Sequence, residues 1–272
     1  MLHGSAQLVH AAQRRRKFRI GQPSHETRRR GRVRGRPERF DQQHFKQSGH
    51  HDFARGAIGA RFVADELDQR RQAALAAHVT DAGSIRRCAE EAGPIDALVN
   101  NAGVGLLAPL EGMAIASARE VFETNTLGTI AMTQAVLPQF RKRRSGVVVN
   151  VTSTVTLRPL PLLSVYTGSK AAVNAFTESL ALELVPFDVR VRLVLPGRAP
   201  DTSFGDNARR LMADSVPDAY ADFTQRIFDA VRDTATPVTH ARDVAEAVWR
   251  AVTDPAAPMR IPAGADAVAL SR

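Results

Sequence analysis

Ser153, Tyr166 and Lys170 are the residues of this 272-residue chain whose types and spacing could do chemistry. In Tyr166-Thr-Gly-Ser-Lys170 the phenol and the ammonium stand four residues apart, so on a helix they lie one above the other on one face. A free tyrosine has a pKa of about 10 and keeps its proton near neutrality. A cation a few Å away favours the phenolate and brings the group towards general acid–base work. The chain holds only 2 Tyr, and one of them falls at this spacing. Ser153 follows Gly146-Val-Val-Val-Asn-Val151, which reads as a short buried strand. A hydroxyl just past the carboxyl end of a parallel strand sits where ligands bind in open α/β sheets, and from there it could hydrogen-bond a substrate oxygen. A Tyr-x-x-x-Lys pair also arises on ordinary helices, as a ring covered by an aliphatic stem. The surrounding elements therefore decide its weight.

Three such elements occur in order around the pair. Ile95-Asp-Ala-Leu-Val-Asn-Asn-Ala-Gly103 is an apolar strand ending in two amides and a glycine, where backbone can approach a sugar or ring closely. Asn125 lies in Asn-Thr-Leu-Gly128, inside a helical pattern from about Ser117 to Phe140. Val189-Arg-Val-Arg-Leu-Val-Leu195 alternates like a strand and is stopped by Pro196-Gly197, with Thr202 close behind. Strand-like runs (Ala97–Asn100, Val147–Val151, Val189–Leu195) alternate with helix-like ones (Gly83–Ala92, Ser117–Phe140, Tyr166–Val185), which predicts βα units feeding a parallel sheet. The expected fold class is α/β, a doubly wound parallel sheet of Rossmann type in a single domain. Taken alone, each flanking residue has a plainer role: Asn100 and Asn101 satisfying backbone at a sheet edge, Asn125 bonding its own helix, Pro196-Gly197 marking a turn.

Together, Asn100-Asn-Ala-Gly103, Asn125, Ser153, Tyr166-x-x-x-Lys170 and Pro196-Gly197 resemble the short-chain dehydrogenase/reductase family, over the chain from roughly Leu75 to the C-terminus. The resemblance implies an NAD(P)-dependent oxidoreductase that interconverts a ketone or aldehyde with an alcohol; NAD and NADP stay open. It implies Tyr166 as the general acid/base, Ser153 as the group holding the substrate oxygen, and Lys170 as the cation that lowers the tyrosine pKa and binds the nicotinamide ribose. Asn125 positions a water on the proton path. Asn101, Ala102 and Gly103 line the adenosine side, and Pro196, Gly197 and Thr202 the nicotinamide side, with Tyr166 and Lys170 also touching the cofactor. Asp243–Val252 and Met259–Pro262 match the last helix and strand. Residues 202–236 become a substrate lid whose Phe204, Leu211, Tyr220, Phe223 and Phe228 either line a pocket for an apolar substrate or pack the lid onto the body. A homodimer or homotetramer is implied through the helices holding Asn125 and Tyr166.

The departures from the family fall upstream. A member begins with an apolar strand running into Thr-Gly-x-x-x-Gly-x-Gly, the turn at which a helix N-terminus meets a pyrophosphate. No such turn is present. Gly31 and Gly35 are embedded in arginine, and Gly56-Ala-Ile-Gly59 stands too close to Asn100 for the intervening strands and helices. His78 takes the place of the family's aspartate near the adenine, so that contact is not expected.

Residues 1–60 hold 14 of the 37 Lys+Arg, 4 of the 28 Asp+Glu and 6 of the 8 His, a net +10 against +9 for the whole chain. The pI of about 10.8 therefore describes this segment and not the body. It is read as a basic segment, irregular or disordered through about residue 75, ahead of a Rossmann domain over 61–272 that is incomplete at its first strands. Three accounts compete: an arm for nucleic acid, a partnerless extension, or residues outside the natural reading frame, since shifted GC-rich codons yield Arg, Gly, Pro, Ala and His. The last also explains why the first strand is missing. Elsewhere, the single Cys88 rules out an internal disulfide and suits a reducing compartment. No apolar run approaches the ~20 residues that span a bilayer, so a cytoplasmic protein without membrane or metal sites is expected. Arg141-Lys-Arg-Arg144 reads as a solvated helix cap.

Overall fold

The computed structural model describes residues 78–200, 202, 204, 216–232 and 236–271, together with the backbone of short strands at 6–9, 59–60, 62–63 and 75–76. The chain divides into two units, 1–11 with 57–272 and 12–56. The second lies outside the described residues, and with it Gly31 and Gly35.

Strands β1 (Ala6–Val9), β2 (Gly59–Ala60), β3 (Phe62–Val63) and β4 (Leu75–Ala76) precede helix α1 (Ala82–Ala92) and strand β5 (Ala97–Asn100). Next come α2 (Ile115–Phe122), a π turn (Glu123–Leu127), α3 (Gly128–Arg143), β6 (Gly146–Val151) and α4 (Ser164–Leu184). The chain closes with β7 (Val189–Pro196), α5 (Ala221–Arg232), α6 (Ala241–Thr253), β8 (Arg260–Ala263) and α7 (Ala265–Leu270). The main sheet runs β3-β1-β5-β6-β7-β8. Strands β5 to β8 are parallel throughout, with Ala97 opposite Val147, Val147 opposite Arg190 and Leu193 opposite Arg260. This is the Rossmann-like α/β fold expected. The apolar four-residue segment β1 completes the β5 edge, but antiparallel, with Ala6 opposite Asn100. An antiparallel ladder satisfies the same backbone groups as a parallel one.

The strands are near-continuous apolar runs because both faces are covered. Successive side chains alternate sides, so Leu98, Val148, Val189 and Val191 pack with Met132, Val136, Phe140, Leu180 and Leu184 of α3 and α4. Ala97, Val99, Val147, Val149 and Val194 pack with Ala247, Ala251 and Val252 of α6 on the other side. The arginines that alternate along β7 are structural. Arg190 donates to the carbonyls of Ala251, Val252 and Asp254 and so caps the last turn of α6. The basic run Arg141–Arg144 closes α3 and is exposed as expected, and two of its side chains also make specific contacts. Arg143 donates to the Ile95 carbonyl and lies over the Phe140 ring at 5.6 Å, and Arg144, left-handed at φ 50°, pairs with Asp188 at 2.8 Å.

Register also brings two amides together across the sheet. Asn100 Nδ2 donates to Asn150 Oδ1 at 2.8 Å and to Thr133 Oγ1 at 3.1 Å, while Asn150 Nδ2 donates to Thr177 Oγ1 at 2.8 Å. This buried chain joins α3, β5, β6 and α4 under the carboxyl edge. Asn150→Ala leaves Asn100 Nδ2 with Thr133 Oγ1 alone and Thr177 Oγ1 with Val173 O alone, and each buried group left short of a partner costs about 1–3 kcal/mol. A loss on the order of 3 kcal/mol, read by urea unfolding, is the expected result.

Candidate active site

The site forms where β5, β6 and β7 end. Extended backbone at Ser153 (φ −170°) turns the chain out of β6, and its Oγ accepts from Val155 N at 3.3 Å, opening a short 3-10 turn. Helix α4 then starts at Ser164, before Tyr166, so the pair at 166 and 170 occupies its first two turns as the spacing requires. Tyr166 and Lys170 are both buried, 5% and 4% exposed. The Tyr166 hydroxyl hydrogen-bonds the Ser153 side chain. Lys170 Nζ donates to the Val151 carbonyl at 3.0 Å. The serine, tyrosine and lysine predicted from sequence are thus gathered at one place.

Their protonation differs from the sequence expectation. Burial pushes the Tyr166 phenol up to about 12, with the Ser153 hydrogen bond acting in the opposite direction. Burial also brings the Lys170 ammonium down to about 8. Desolvation disfavours whichever form is charged, and both groups are enclosed by α4, β6 and the loop after β5. Ser153, not Lys170, is the group that lowers the tyrosine: Lys170 turns to a main-chain carbonyl, and both side chains lose water. Tyr166 is held as an acid with its proton in place.

Asn125 sits in the π turn and not in a regular helix. Its Oδ1 accepts from Val104 N at 2.8 Å, and its Nδ2 donates to Val104 O and Ser169 Oγ, both at 3.0 Å. Thr126 Oγ1 donates to Ser169 O at 3.0 Å, and Ser169 Oγ to Tyr166 O at 2.7 Å. The inserted residue of a π turn re-aims one side chain, and here it pins the loop after β5 to the helix carrying Tyr166. Ser169 and the Val104 main chain are partners that spacing did not single out.

The remaining candidates are placed unequally. Asn101 is exposed, Ala102 buried and Gly103 half-buried. A Cβ on Gly103 would lie 3.2 Å from Lys170 Nζ and 3.4 Å from Asn125 Oδ1, so the missing side chain leaves room directly over the ammonium. An ammonium has three donors, and the described residues give Lys170 one acceptor. Thr152 Oγ1, between Val151 and Ser153 in sequence, is buried without a hydrogen-bond partner among the described residues. This donor set and cradle fit a hydroxylated sugar, and so the ribose half of a nicotinamide dinucleotide. Thr202 instead donates its hydroxyl to Ala199 O at 2.9 Å, a local turn. Phe204 lies against the site, its ring centroid 5.5 Å from that of Tyr166 and tilted by 56°. His78 is half-buried; its amide donates to Ser84 Oγ and its carbonyl accepts from Asp81 N at the start of α1. Among the described residues there is no group of His, Cys, Asp and Glu placed to hold a metal, and no helix is long and apolar enough to cross a membrane.

A parallel sheet of this order, with these motifs at its carboxyl edge, defines a family, and comparison with known proteins places the chain within it. The family model for short chain dehydrogenases matches residues 47–210. The chain belongs to the short-chain dehydrogenase family. The match reaches upstream of Leu75, where the resemblance of the motifs begins. The 3-ketodihydrosphingosine reductase of Bacteroides thetaiotaomicron is 34% identical over 197 residues, 70% of this chain and 72% of that protein. The retinol dehydrogenase 8 of Bos taurus is 43% identical over 116 residues, 42% of this chain and 37% of its own length. The chain thus spans little more than a third of that relative. A short chain dehydrogenase from Burkholderia cenocepacia, solved in complex with NADP, superposes with a TM-score of 0.58 at 26% identity, covering 80% of this chain and 81% of its own.

Proposed function

We propose that this protein interconverts a carbonyl and an alcohol on a largely apolar substrate with NAD or NADP as hydride carrier. The observation that carries the reading is the buried Tyr166 phenol, hydrogen-bonded to Ser153, one helical turn from a buried Lys170 that faces the Gly103 cradle. When bound, the nicotinamide supplies a hydride to the carbonyl carbon, or accepts one in the reverse direction. Tyr166 gives its proton to the carbonyl oxygen as the C–O bond becomes an alcohol, and Ser153 holds that oxygen by a hydrogen bond. Lys170 binds the ribose hydroxyls, and the charge it keeps below about pH 8 stabilises the phenolate left after transfer. Asn125 keeps the loop after β5 against α4, so that Asn101, Ala102 and Gly103 on one side and Pro196 and Gly197 on the other bracket the cofactor.

An apolar substrate is supported by the Phe204 ring on Tyr166 and by Leu160, 47% exposed between Ser153 and Tyr166. Relatives named for retinol and 3-ketodihydrosphingosine point the same way. Exposed Ile115 at the start of α2, Leu127 in the π turn and Leu182 on α4 support self-association through those helices. The absence of Thr-Gly-x-x-x-Gly-x-Gly supports a second reading, a relative whose cofactor half is impaired.

Titration of the full chain with NADPH and NADH, followed by nicotinamide fluorescence at moderate and high salt, separates the two. Saturable, salt-resistant binding with turnover of retinol or a long-chain ketone is the expected result. Binding without turnover of either overturns the apolar carbonyl–alcohol reaction, and no binding leaves the impaired reading. High salt removes any purely electrostatic contact with the basic segment.

A further inference from the structure

The turn after β7 is held from behind by a carboxylate that none of the sequence motifs contains. Asp266, in the first turn of α7, accepts from Arg198 N at 2.7 Å through Oδ2 and lies 2.7 Å from Thr239 Oγ1 through Oδ1. Thr239 is fully buried. Its Oγ1 accepts from Gly197 N at 3.0 Å and lies 2.8 Å from Ala263 O, while its own amide donates to Arg198 O at 2.8 Å. A hydroxyl has one proton, so it donates either to the carboxylate or to Ala263 O; the charged acceptor makes the stronger bond. Two glycines make the contact possible. A Cβ on Gly197 would stand 2.0 Å from Asp266 Oδ2, and one on Gly264, at φ +95°, would meet Thr239 Oγ1 at 2.1 Å.

The clamped turn is the base of the segment that returns to the site. Thr152, next to Ser153, donates its amide to Val194 O at 2.8 Å, so the ends of β6 and β7 are tied together. A few residues past the turn, Phe204 packs on Tyr166. We propose that Asp266, acting with Thr239, is a positioning residue that presets the Pro196-Gly197-Arg198 turn to receive the nicotinamide end of the cofactor. The inference rests on the cofactor reading above.

The test compares the full chain with Asp266→Ala, Asp266→Asn and Thr239→Val. NADH and NADPH affinity is measured by nicotinamide fluorescence, melting temperature by calorimetry, and amide exchange of the peptide containing Gly197 and Arg198 by mass spectrometry. Misplacing a positioned group by about 1 Å can cost about 100-fold. Asp266→Ala is therefore expected to weaken cofactor binding at least about tenfold and to speed exchange at Gly197 and Arg198. Asp266→Asn keeps an oxygen for Arg198 N and an amide that can donate to Thr239 Oγ1, whose proton then turns to Ala263 O. It is expected to restore affinity to within about threefold. Thr239→Val, which removes a buried hydroxyl at little change in shape, is expected to follow Asp266→Ala.

Asp266→Ala or Thr239→Val that melts lower yet binds cofactor as the parent does overturns the positioning role and leaves a structural one. Failure of Asp266→Asn to recover also overturns it. A parent chain that binds neither cofactor fails the reading beneath the proposal, and the proposal falls with it; the exchange data alone do not rescue it.

Discussion

Tyr166→Phe is expected to lower kcat about a thousandfold in both directions while leaving cofactor affinity within about twofold and the melting temperature nearly unchanged. The substitution removes one oxygen from a ring whose packing, including the tilted contact with Phe204, is carbon. The oxygen lost is the proton donor for reduction, and general acid–base catalysis is worth about 10²–10⁴-fold. The direction of the pKa shift adds a second signature. Because burial holds the phenol near 12, its protonated form persists across the neutral range, so reduction should show no loss attributable to Tyr166 up to about pH 9. Oxidation needs the phenolate, so its rate should climb with pH over the same span. Steady-state rates in both directions between pH 6 and 9 check this. A Tyr166→Phe protein that turns over at the parent rate would sink the assignment of the acid.

Lys170→Met is expected to abolish turnover and, at neutral pH, to raise stability. The ammonium is 4% exposed with one protein acceptor, Val151 O, and its folded pKa of about 8 lies below the ordinary lysine value of about 10.4. Between those values the unfolded chain binds the extra proton and the folded chain does not. Stability therefore rises with pH through that window and is lowest, for this group, below about 8. The shift corresponds to a cost on the order of 3 kcal/mol at neutral pH, offset in part when Val151 O is left without its donor. Tyr166 gives the opposite slope, but only between about pH 10 and 12, beyond the measured range. Melting scans of the parent and of Lys170→Met from pH 7 to 9.5 should show the parent gaining on the variant as pH rises. A parallel pair of curves would mean that Lys170 is not desolvated as the geometry indicates.

These two side chains also show how much of the site was legible in the sequence. That residues 166 and 170 share a helix face follows from local periodicity, which no tertiary contact is needed to establish. The strands at 97–100, 146–151 and 189–196 were legible for a similar reason, as buried apolar runs between turn residues. Asn125 does lie inside the helical pattern from Ser117 to Phe140; what the sequence did not show is the π turn at Glu123–Leu127 within it. Hydrophobic period alone does not register one inserted residue. The helices α5 and α7 were not assigned. The basic run ending at Arg144 was rightly read as solvent-facing, but nothing in its composition marks Ile95, Phe140 or Asp188 as partners.

The sequence by itself determined the class of this protein, since the order and separation of Asn100-Asn-Ala-Gly103, Asn125, Ser153, Tyr166, Lys170 and Pro196-Gly197 are properties of the chain as written. The tertiary structure alone decided the protonation and the support of the site. Desolvation depends on what packs around a group, so only the fold could push Tyr166 up and Lys170 down. Likewise Asp266 and Arg198 stand 68 residues apart, and the parallel pairing of β7 with β8 is what places the carboxylate against the turn, a juxtaposition that no local period encodes.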